Sequence, residues 1–303
     1  ARDRDAIQTS RGARRHPMAT DRKGNTMTNN LRIISYGGGV QSTALLVLAG
    51  TGKLDDLLGG PVTHAIFSNV GDDSETPDSI DYVRNIATPW AAEHNVTVVE
   101  VRRAYADGRP YASLMQNAIN DPKGNSPLPV FAETPSAPGM RACTSKWKIG
   151  PVTRWLKENG ATPEHPATIC IGISVDEIER AGRGRNDPME IRKFPLLDLG
   201  LNRGDCQTII ADAGLPVPGK SSCFFCPFHS RRGWGEMRRD NPEQFEASAN
   251  MESTVNEHRL AAGRRPVYLT QAGKPLREAI VEMQSPLFDV DGPDGCSSGT
   301  CWT

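Results

Sequence analysis

The sequence predicts an α/β fold, built as an open parallel sheet with flanking helices. Two observations lead to this prediction. Short apolar runs recur along the first two thirds of the chain, and a segment with helical periodicity follows most of them after a glycine-rich or polar turn. Strands that alternate with helices form βαβ units, and such units give parallel sheets.

The predicted elements follow from these patterns in order. Four strands are predicted, at residues 31–35, 63–68, 96–101 and 167–173. Helices are predicted from residue 42 and over residues 77–95 and 145–159. The Pro-, Asn- and Gly-rich stretch 105–140 is predicted as a long loop or lid that faces the substrate. Because active sites of open sheets lie at the carboxyl ends of strands, these segments are expected to converge on one crevice.

Composition divides the chain into three parts. Residues 1–26 carry seven basic residues against three acids and almost no large apolar side chains, which predicts a disordered arm or tag. Residues 27–200 hold the strand and helix pattern. Residues 201–303 change to short helical segments, turns and cysteines, which predicts a small helical, Cys-containing C-terminal subdomain.

Net charge and hydropathy limit the partners and the cellular environment that the sequence predicts for the protein. The chain has 35 basic and 36 acidic residues, so no global field attracts a polyanion, and any nucleic-acid surface would have to be local. No apolar run approaches the roughly 18 residues of a membrane helix. The sequence therefore predicts a cytoplasmic protein without a membrane partner, and assembly into a homo-oligomer stays open.

The first candidate site is the glycine-rich turn between the first strand and the first helix. Three glycines let backbone N–H groups approach phosphate oxygens, and the start of the helix offers its positive end to an anion. The expected contacts are Ser35, Gly37, Gly38, Gly39, Gln41 and Ser42. An ordinary strand-to-helix turn is the alternative.

This turn resembles the pyrophosphate-binding loop of the PP-loop family, which includes N-type ATP pyrophosphatases and phosphoadenosine phosphosulfate (PAPS) reductases. The usual form of the loop is Ser-Gly-Gly-x-Asp-Ser, whereas Gly37 and Gln41 stand here in the places of the Ser and the Asp. Segments 67–76, 141–151 and 171–180 are similar to further family segments in the same order. The resemblance implies a Rossmann-like PP-loop fold that binds an adenine nucleotide, with Ser68, Asp72, Gly172 and Asp176 beside it.

Charged side chains near the predicted strand ends suit such a ligand. The candidate cations for phosphate charge are Arg141, Lys146, Lys148, Arg180, Arg183 and Arg185, among which Lys146 and Arg180 are expected to act in catalysis. The candidate acids for Mg²⁺ or ribose hydroxyls are Asp72, Asp73, Glu75, Asp176 and Glu177. Solvated surface charge is the alternative for each of them.

Six of the seven cysteines are candidates for a second site, and Cys170, inside an apolar strand, is expected to be a buried core thiol. Cys223 and Cys226 are two residues apart, a spacing that suits a tetrahedral metal or one corner of a cluster, and thiol redox activity is the rival interpretation. Similar Cys-x-x-Cys-Pro segments occur in PAPS reductase-like proteins with an iron–sulfur cluster, including enzymes of DNA phosphorothioation. That resemblance implies Cys143, Cys223 and Cys226 as ligands of a 4Fe-4S cluster. Cys206 is taken as the fourth ligand, Cys296 and Cys301 compete for that place, and Zn²⁺ is the alternative to the cluster.

The leading functional hypothesis is an ATP-dependent enzyme that adenylates its substrate, releases pyrophosphate and supports sulfur transfer. The acceptor stays open among tRNA, DNA and a small molecule. One alternative is a sulfonucleotide (PAPS or adenylylsulfate) reductase, in which Cys301 or Cys296 is the nucleophile. The other is a non-catalytic nucleotide-binding or zinc-stabilised module.

Overall fold

A parallel β-sheet forms the centre of the computed structural model, which describes residues 31–133, 137–181 and 187–281. Its strands are β1 (Arg32–Tyr36), β2 (His64–Ser68), β3 (Thr97–Val101), β4 (Ala167–Ile171) and β5 (Glu190–Lys193). The strand order is β3-β2-β1-β4-β5, and each neighbouring pair is parallel. The predicted α/β class and parallel sheet are therefore confirmed, and the four predicted strands agree with β1 to β4 within two residues at each end.

Strand β5 was not predicted from the sequence. It lies at one edge of the sheet, and its residues alternate between half-buried and exposed. Edge strands of natural proteins commonly carry charged side chains that block further pairing, and three of the four residues here are charged. Such a strand lacks the apolar run by which the other strands were recognised.

Helices flank the sheet and continue beyond it toward the C-terminus. They are α1 (Val40–Gly50), α2 (Asp55–Leu58), α3 (Pro77–Asp81), α4 (Thr88–Glu93), α5 (Leu114–Ile119), α6 (Gly150–Glu158), α7 (Pro195–Asp198), α8 (Arg203–Asp212), α9 (Arg231–Asp240), α10 (Pro242–Ala261) and α11 (Leu276–Ala279). Wider π-helical turns, Tyr82–Ala87 and Thr144–Ile149, lead into α4 and α6, and a 3₁₀ turn, Val175–Arg180, follows β4. Within the described ranges, no helix is both long and apolar enough to cross a membrane.

The two faces of the sheet bury separate apolar clusters. Successive strand residues point to opposite faces, so Ile34 joins the cluster beneath α1 and α8, whereas Ile33 joins the cluster beneath α6. Helix α1 is apolar around most of its surface because it is enclosed by the sheet and α8. This enclosure fixes the start of α1 at the carboxyl end of β1.

A third apolar cluster lies around the later helices. It combines Leu114 and Trp147 with Phe225, Trp234 and other side chains from beyond residue 200. The predicted boundary at residue 200 stays a prediction. In the described part of the stretch 105–140, α5 buries Leu114, and Phe131 pairs with Tyr268 through two backbone hydrogen bonds of 2.9 Å. The segments around α5 and Phe131 therefore pack into the core, which a mobile lid would not do, whereas residues 106–110 and 137–140 are exposed.

Candidate functional site

A cleft opens at the carboxyl ends of β1 and β4. The chain runs from β1 outward to β2 and β3 on one side and later returns to the other side as β4 and β5. Neighbouring strands whose connections run in opposite directions create a crevice, where open α/β sheets bind their ligands. The cleft lining includes Ser35, Tyr36, Gly37, Gly39, Val40, Gln41, Ser42, Ile66, Phe67, Ser68, Glu75, Lys148, Val152, Ile171, Gly172, Arg180, Arg203, Gly219, Lys220 and Ser221.

The glycine turn forms one wall of the cleft. Ser42 Oγ donates to the Gly39 carbonyl at 3.1 Å and accepts from the Gly37 N–H at 3.3 Å, which closes the turn on itself. Gly38 has a φ of 71°, a left-handed conformation that favours glycine. The first N–H groups of a helix have no acceptor within the helix, so the start of α1 supplies donors and a partial positive charge to an anion.

The exit of β4 lies directly against this turn. A Cβ atom on Gly172 would lie 2.9 Å from the Ser42 nitrogen and 3.0 Å from the Gln41 carbonyl carbon. Both neighbours are backbone atoms of α1, so a larger residue at position 172 would push β4 and α1 apart. Gly172 therefore sets how closely the two elements approach at the cleft.

Four cationic side chains from four separate segments line the cleft. They are Lys148, Arg180, Arg203 and Lys220. Cations that converge on one crevice raise the local concentration of anions and neutralise charge that develops during group transfer. Lys146, which the sequence favoured, is exposed and lies outside the lining, whereas the neighbouring Trp147 is buried and its carbonyl accepts a 2.8 Å hydrogen bond from Ser68 Oγ. Lys148, two residues after Lys146, lines the cleft instead.

Glu75 is the acidic side chain of the described cleft lining. It is only 5% exposed, and burial raises the pKa of its carboxyl group, whereas Lys148 and the Val70 N–H lower that pKa. The backbone of Glu75 also forms an isolated antiparallel bridge with Cys223. The cleft and the Cys-x-x-Cys segment are therefore direct neighbours.

A buried polar network holds the Gln41 side chain at the rim of the cleft. Its amide nitrogen donates to Glu177 at 3.3 Å, and its amide oxygen accepts from Arg203 at 3.0 Å. Glu177 also pairs with Arg180. Burial raises the pKa of Glu177 to about 7, although the Arg180 charge acts in the opposite direction. Asp176 lies behind this network, where it accepts from the Arg203 N–H at 3.1 Å.

Asp72 lies in a different ion-pair group. Its carboxylate contacts Arg84 at 3.0 Å and Arg102 at 2.5 Å, and Glu100 pairs with the same two arginines. Asp72 is thus held by arginines outside the cleft lining. The resemblance implied that Asp72 lies beside the nucleotide, but the structure places it outside the lining that contains the glycine turn.

The cysteines divide between two apolar clusters. Cys223 is buried in the cluster around Trp234, and Cys143 and Cys226 pack against that same cluster. Cys206 is completely buried in the cluster beneath α1, where burial raises the pKa of its thiol to about 12. In residues 31–133, 137–181 and 187–281, no three Cys, His, Asp or Glu side chains come together as a metal-binding group. The described residues therefore supply thiol donors suited to zinc or a cluster but do not complete such a site.

The predicted site residues fall into three groups. The structure brings together in the cleft Ser35, Gly37, Gly39, Gln41, Ser42, Ser68, Glu75, Lys148, Gly172 and Arg180. It places outside the cleft lining Gly38, Asp72, Asp73, Arg141, Cys143, Lys146, Asp176, Glu177, Cys206, Cys223 and Cys226. Cys296, Cys301, Arg183 and Arg185 lie outside the described residues.

Sequence reasoning missed Arg203 and the segment 219–221. Arg203 is the first residue of α8, and a capping box between Asn202 and Asp205 fixes that helix start. The run Gly219-Lys220-Ser221 has the residue types of a phosphate-binding loop, which was a usable signal.

No protein-family model matches the chain. No curated protein matches its sequence either.

Proposed function

We propose that the cleft binds the phosphates of ATP and that the protein is a PP-loop-type enzyme that adenylates its substrate. The observation that carries this proposal is the position of the glycine turn at the β1–β4 crevice, surrounded by four cations. Backbone donors, a helix start and converging cations form a site suited to a polyphosphate.

The proposed reaction is a phosphoryl substitution. An oxygen of the acceptor attacks the α-phosphorus of ATP, the bond from that phosphorus to the oxygen that bridges to the β-phosphorus breaks, and pyrophosphate leaves with that bridging oxygen. A proton leaves the acceptor hydroxyl. Lys148, Arg180 and Arg203 would neutralise charge on the transferred and leaving groups. A sulfur nucleophile would then attack the acceptor carbon that carries the adenylated oxygen, and AMP would leave with that oxygen.

Mg²⁺ fits this arrangement. Magnesium is usually bound by one or two carboxylates together with substrate phosphates and water. Glu75 is the carboxylate of the described lining that would meet this need, and Lys148 lies close enough to affect its pKa. When bound, the ion would add positive charge beside the phosphates.

The apolar part of the lining supports a nucleotide base or ribose. Ile66, Phe67 and Ile171 come from the ends of β2 and β4, and Val152 comes from α6. Ligand pockets commonly combine such an apolar surface with a few polar groups that fix orientation. The choice of adenine rests on the resemblance of the glycine turn to the PP-loop.

Sulfur transfer is proposed because thiols adjoin the cleft. The Glu75–Cys223 bridge places the Cys-x-x-Cys segment beside a residue of the cleft lining. A 4Fe-4S cluster or Zn²⁺ bound through Cys143, Cys223 and Cys226 stays part of the proposal. The acceptor is proposed to be a nucleic acid or a small molecule.

The test is nucleotide binding and turnover of anaerobically purified protein. We expect calorimetry to show ATP binding, and we expect pyrophosphate release with a competent acceptor. Arg203→Gln should weaken ATP binding by about tenfold, because a charge-assisted contact is lost. The exposed Arg265→Gln is the matched control.

Three other outcomes of this test would contradict the proposal or favour an alternative function. Failure to bind any nucleotide would overturn the proposal. ATP binding without pyrophosphate release from any acceptor tested would favour a binding module. PAPS binding with sulfite formation would favour a sulfonucleotide reductase.

A further inference from the structure

The segment 219–221 lies against the glycine turn although 180 residues separate them along the chain. Gly219, Lys220 and Ser221 all line the cleft. A Cβ atom on Gly39 would lie 2.7 Å from Ser221 Oγ, so the serine hydroxyl sits at the residue that immediately precedes α1. This contact brings a second set of donors to the place where α1 offers its first N–H groups.

Anchors on both sides hold this segment in place. The Tyr82 hydroxyl donates to the Pro216 carbonyl at 2.8 Å, before the segment. After it, Cys223 forms the backbone bridge with Glu75, and the Phe224 N–H donates to the Ser74 carbonyl at 3.3 Å. A loop that is held before its ligand arrives loses less entropy on binding.

The charge of the lining indicates what this segment binds. The described lining has four cationic side chains against one carboxylate, and Glu177, just outside the lining, pairs with one of them, Arg180. A single phosphate group carries only about two negative charges at neutral pH. The glycine turn and Ser42 supply backbone and hydroxyl donors, and Lys220 adds charge from a separate segment, as a ligand with more than one phosphate group requires.

We infer that Lys220 and Ser221 contact the phosphates beyond the α-phosphate and thereby select nucleoside polyphosphates over monophosphates. The inference rests on the proposed nucleotide site. Lys220 supplies charge to the β- and γ-phosphates, and Ser221 supplies a hydroxyl donor and keeps the segment at the start of α1. The segment 219–221 is then a specificity-determining element of the cleft.

The test compares ATP, ADP, AMP and inorganic tripolyphosphate by calorimetry on the full chain. We expect Lys220→Gln to weaken ATP and tripolyphosphate binding by about tenfold or more and to change AMP binding by less than about twofold, because the lost contact is charge-assisted and does not involve the α-phosphate. Ser221→Ala should act in the same direction with a smaller factor. Lys157→Gln, on the exposed side of α6, is the matched control and should change none of these affinities.

Two negative outcomes have different meanings. Equal weakening of AMP and ATP by Lys220→Gln, or no weakening of either in a protein that binds ATP, would overturn the inference and leave the proposed function intact. A wild-type protein that binds none of the four ligands would overturn the proposed function itself. Thermal melting of each variant separates a binding effect from loss of the fold.

Discussion

The hydroxyl of Ser221 occupies the space beside Gly39. An ideal Cβ on Gly39 would lie 2.7 Å from Ser221 Oγ but 3.7 Å from Ser221 Cβ. Gly39 has φ −97° and ψ 175°, an extended conformation that alanine also adopts. The need for glycine at position 39 therefore comes from its neighbour across the cleft and not from its own backbone.

This contact predicts that Gly39→Ala destabilises the protein and that a second change, Ser221→Ala, reverses the effect. Overpacking typically costs about 1–3 kcal/mol, and removal of the hydroxyl leaves ordinary van der Waals distances. Urea unfolding of both single variants and the double variant forms a thermodynamic cycle. Additive effects in this cycle would show that the two residues do not touch.

Gly172→Ala is predicted to be more harmful and to resist such rescue. Its Cβ would approach two backbone atoms of α1, at 2.9 and 3.0 Å, and no side-chain truncation can move those atoms. We expect a loss of roughly 1–3 kcal/mol in unfolding free energy together with weaker ATP binding. Gly37→Ala is the control for stability, because its Cβ would meet only Ser42 Oγ at 4.0 Å. Equal stability of the two variants would contradict this prediction.

Lys148→Gln is predicted to weaken ATP binding by about tenfold, because Lys148 lines the cleft. Lys146→Gln, two residues earlier in the same π-helical turn, should leave ATP affinity unchanged because Lys146 is exposed outside the lining. Calorimetric titration with ATP measures the affinity of both variants. A larger loss of ATP affinity in Lys146→Gln than in Lys148→Gln would support Lys146, which the sequence favoured, over Lys148, which lines the cleft.

Glu252 is predicted to make stability depend on pH. Its carboxyl group accepts from the N–H groups of Leu269 and Leu276, both at 2.7 Å, yet burial raises its pKa from 4.5 to about 7. A raised pKa in the folded state means that the folded protein holds the proton more tightly than the unfolded chain. Stabilisation is therefore complete below about pH 4.5 and is lost as the pH rises through about 7.

The measurement for Glu252 is urea unfolding at about pH 5 and pH 8, for wild type and Glu252→Gln. A shift of this size corresponds to at most about 3 kcal/mol, so the difference between the two proteins should change by a sizeable part of that amount. The exposed Glu257→Gln is the control. A difference between wild type and Glu252→Gln that stays constant with pH would contradict the prediction.

Metal content is predicted to depend on Cys226 and not on Cys206. Cys206 is fully buried beneath α1, in a different apolar cluster from Cys143, Cys223 and Cys226. If the proposed cluster or zinc is present, Cys206→Ser should retain iron or zinc and Cys226→Ser should lose it. Iron, sulfide and zinc analysis of anaerobically purified protein provides the measurement. Loss of metal in Cys206→Ser with intact folding would reverse this expectation.

Local sequence predicted most of the sheet and the glycine turn. Apolar runs identify β1, β2 and β4 because these strands are largely buried, and the edge strand β3 was recognised from its valines although it is only half-buried. The three glycines identify the turn because backbone must approach backbone or a ligand there. Strand β5, at the other edge, escaped prediction because three of its four residues are charged and it has no apolar run.

The other cleft residues could not be assigned from local patterns. Lys146 and Lys148 were both candidate cations, and because residues two apart in a helix face nearly opposite sides, only one of them can line the cleft; the sequence does not reveal that it is Lys148. Arg203 reaches the cleft through the tertiary fold, and only the contact between distant segments shows that it belongs there. For Lys220 the Gly-Lys-Ser run was a local signal, but its position beside the glycine turn is set by the tertiary fold.

The strand order also determines when the cleft can appear during folding. Strand β4 pairs with β1 across roughly 130 intervening residues, and Ser221 must arrive from still farther along the chain. Contacts of such long sequence separation form slowly, because loop closure must precede the stabilisation that they bring. A nascent chain would therefore expose the glycine turn without the full cleft lining until about residue 221 has been synthesised. The proposed nucleotide site would then be complete only after the sheet and the segment 219–221 have been made.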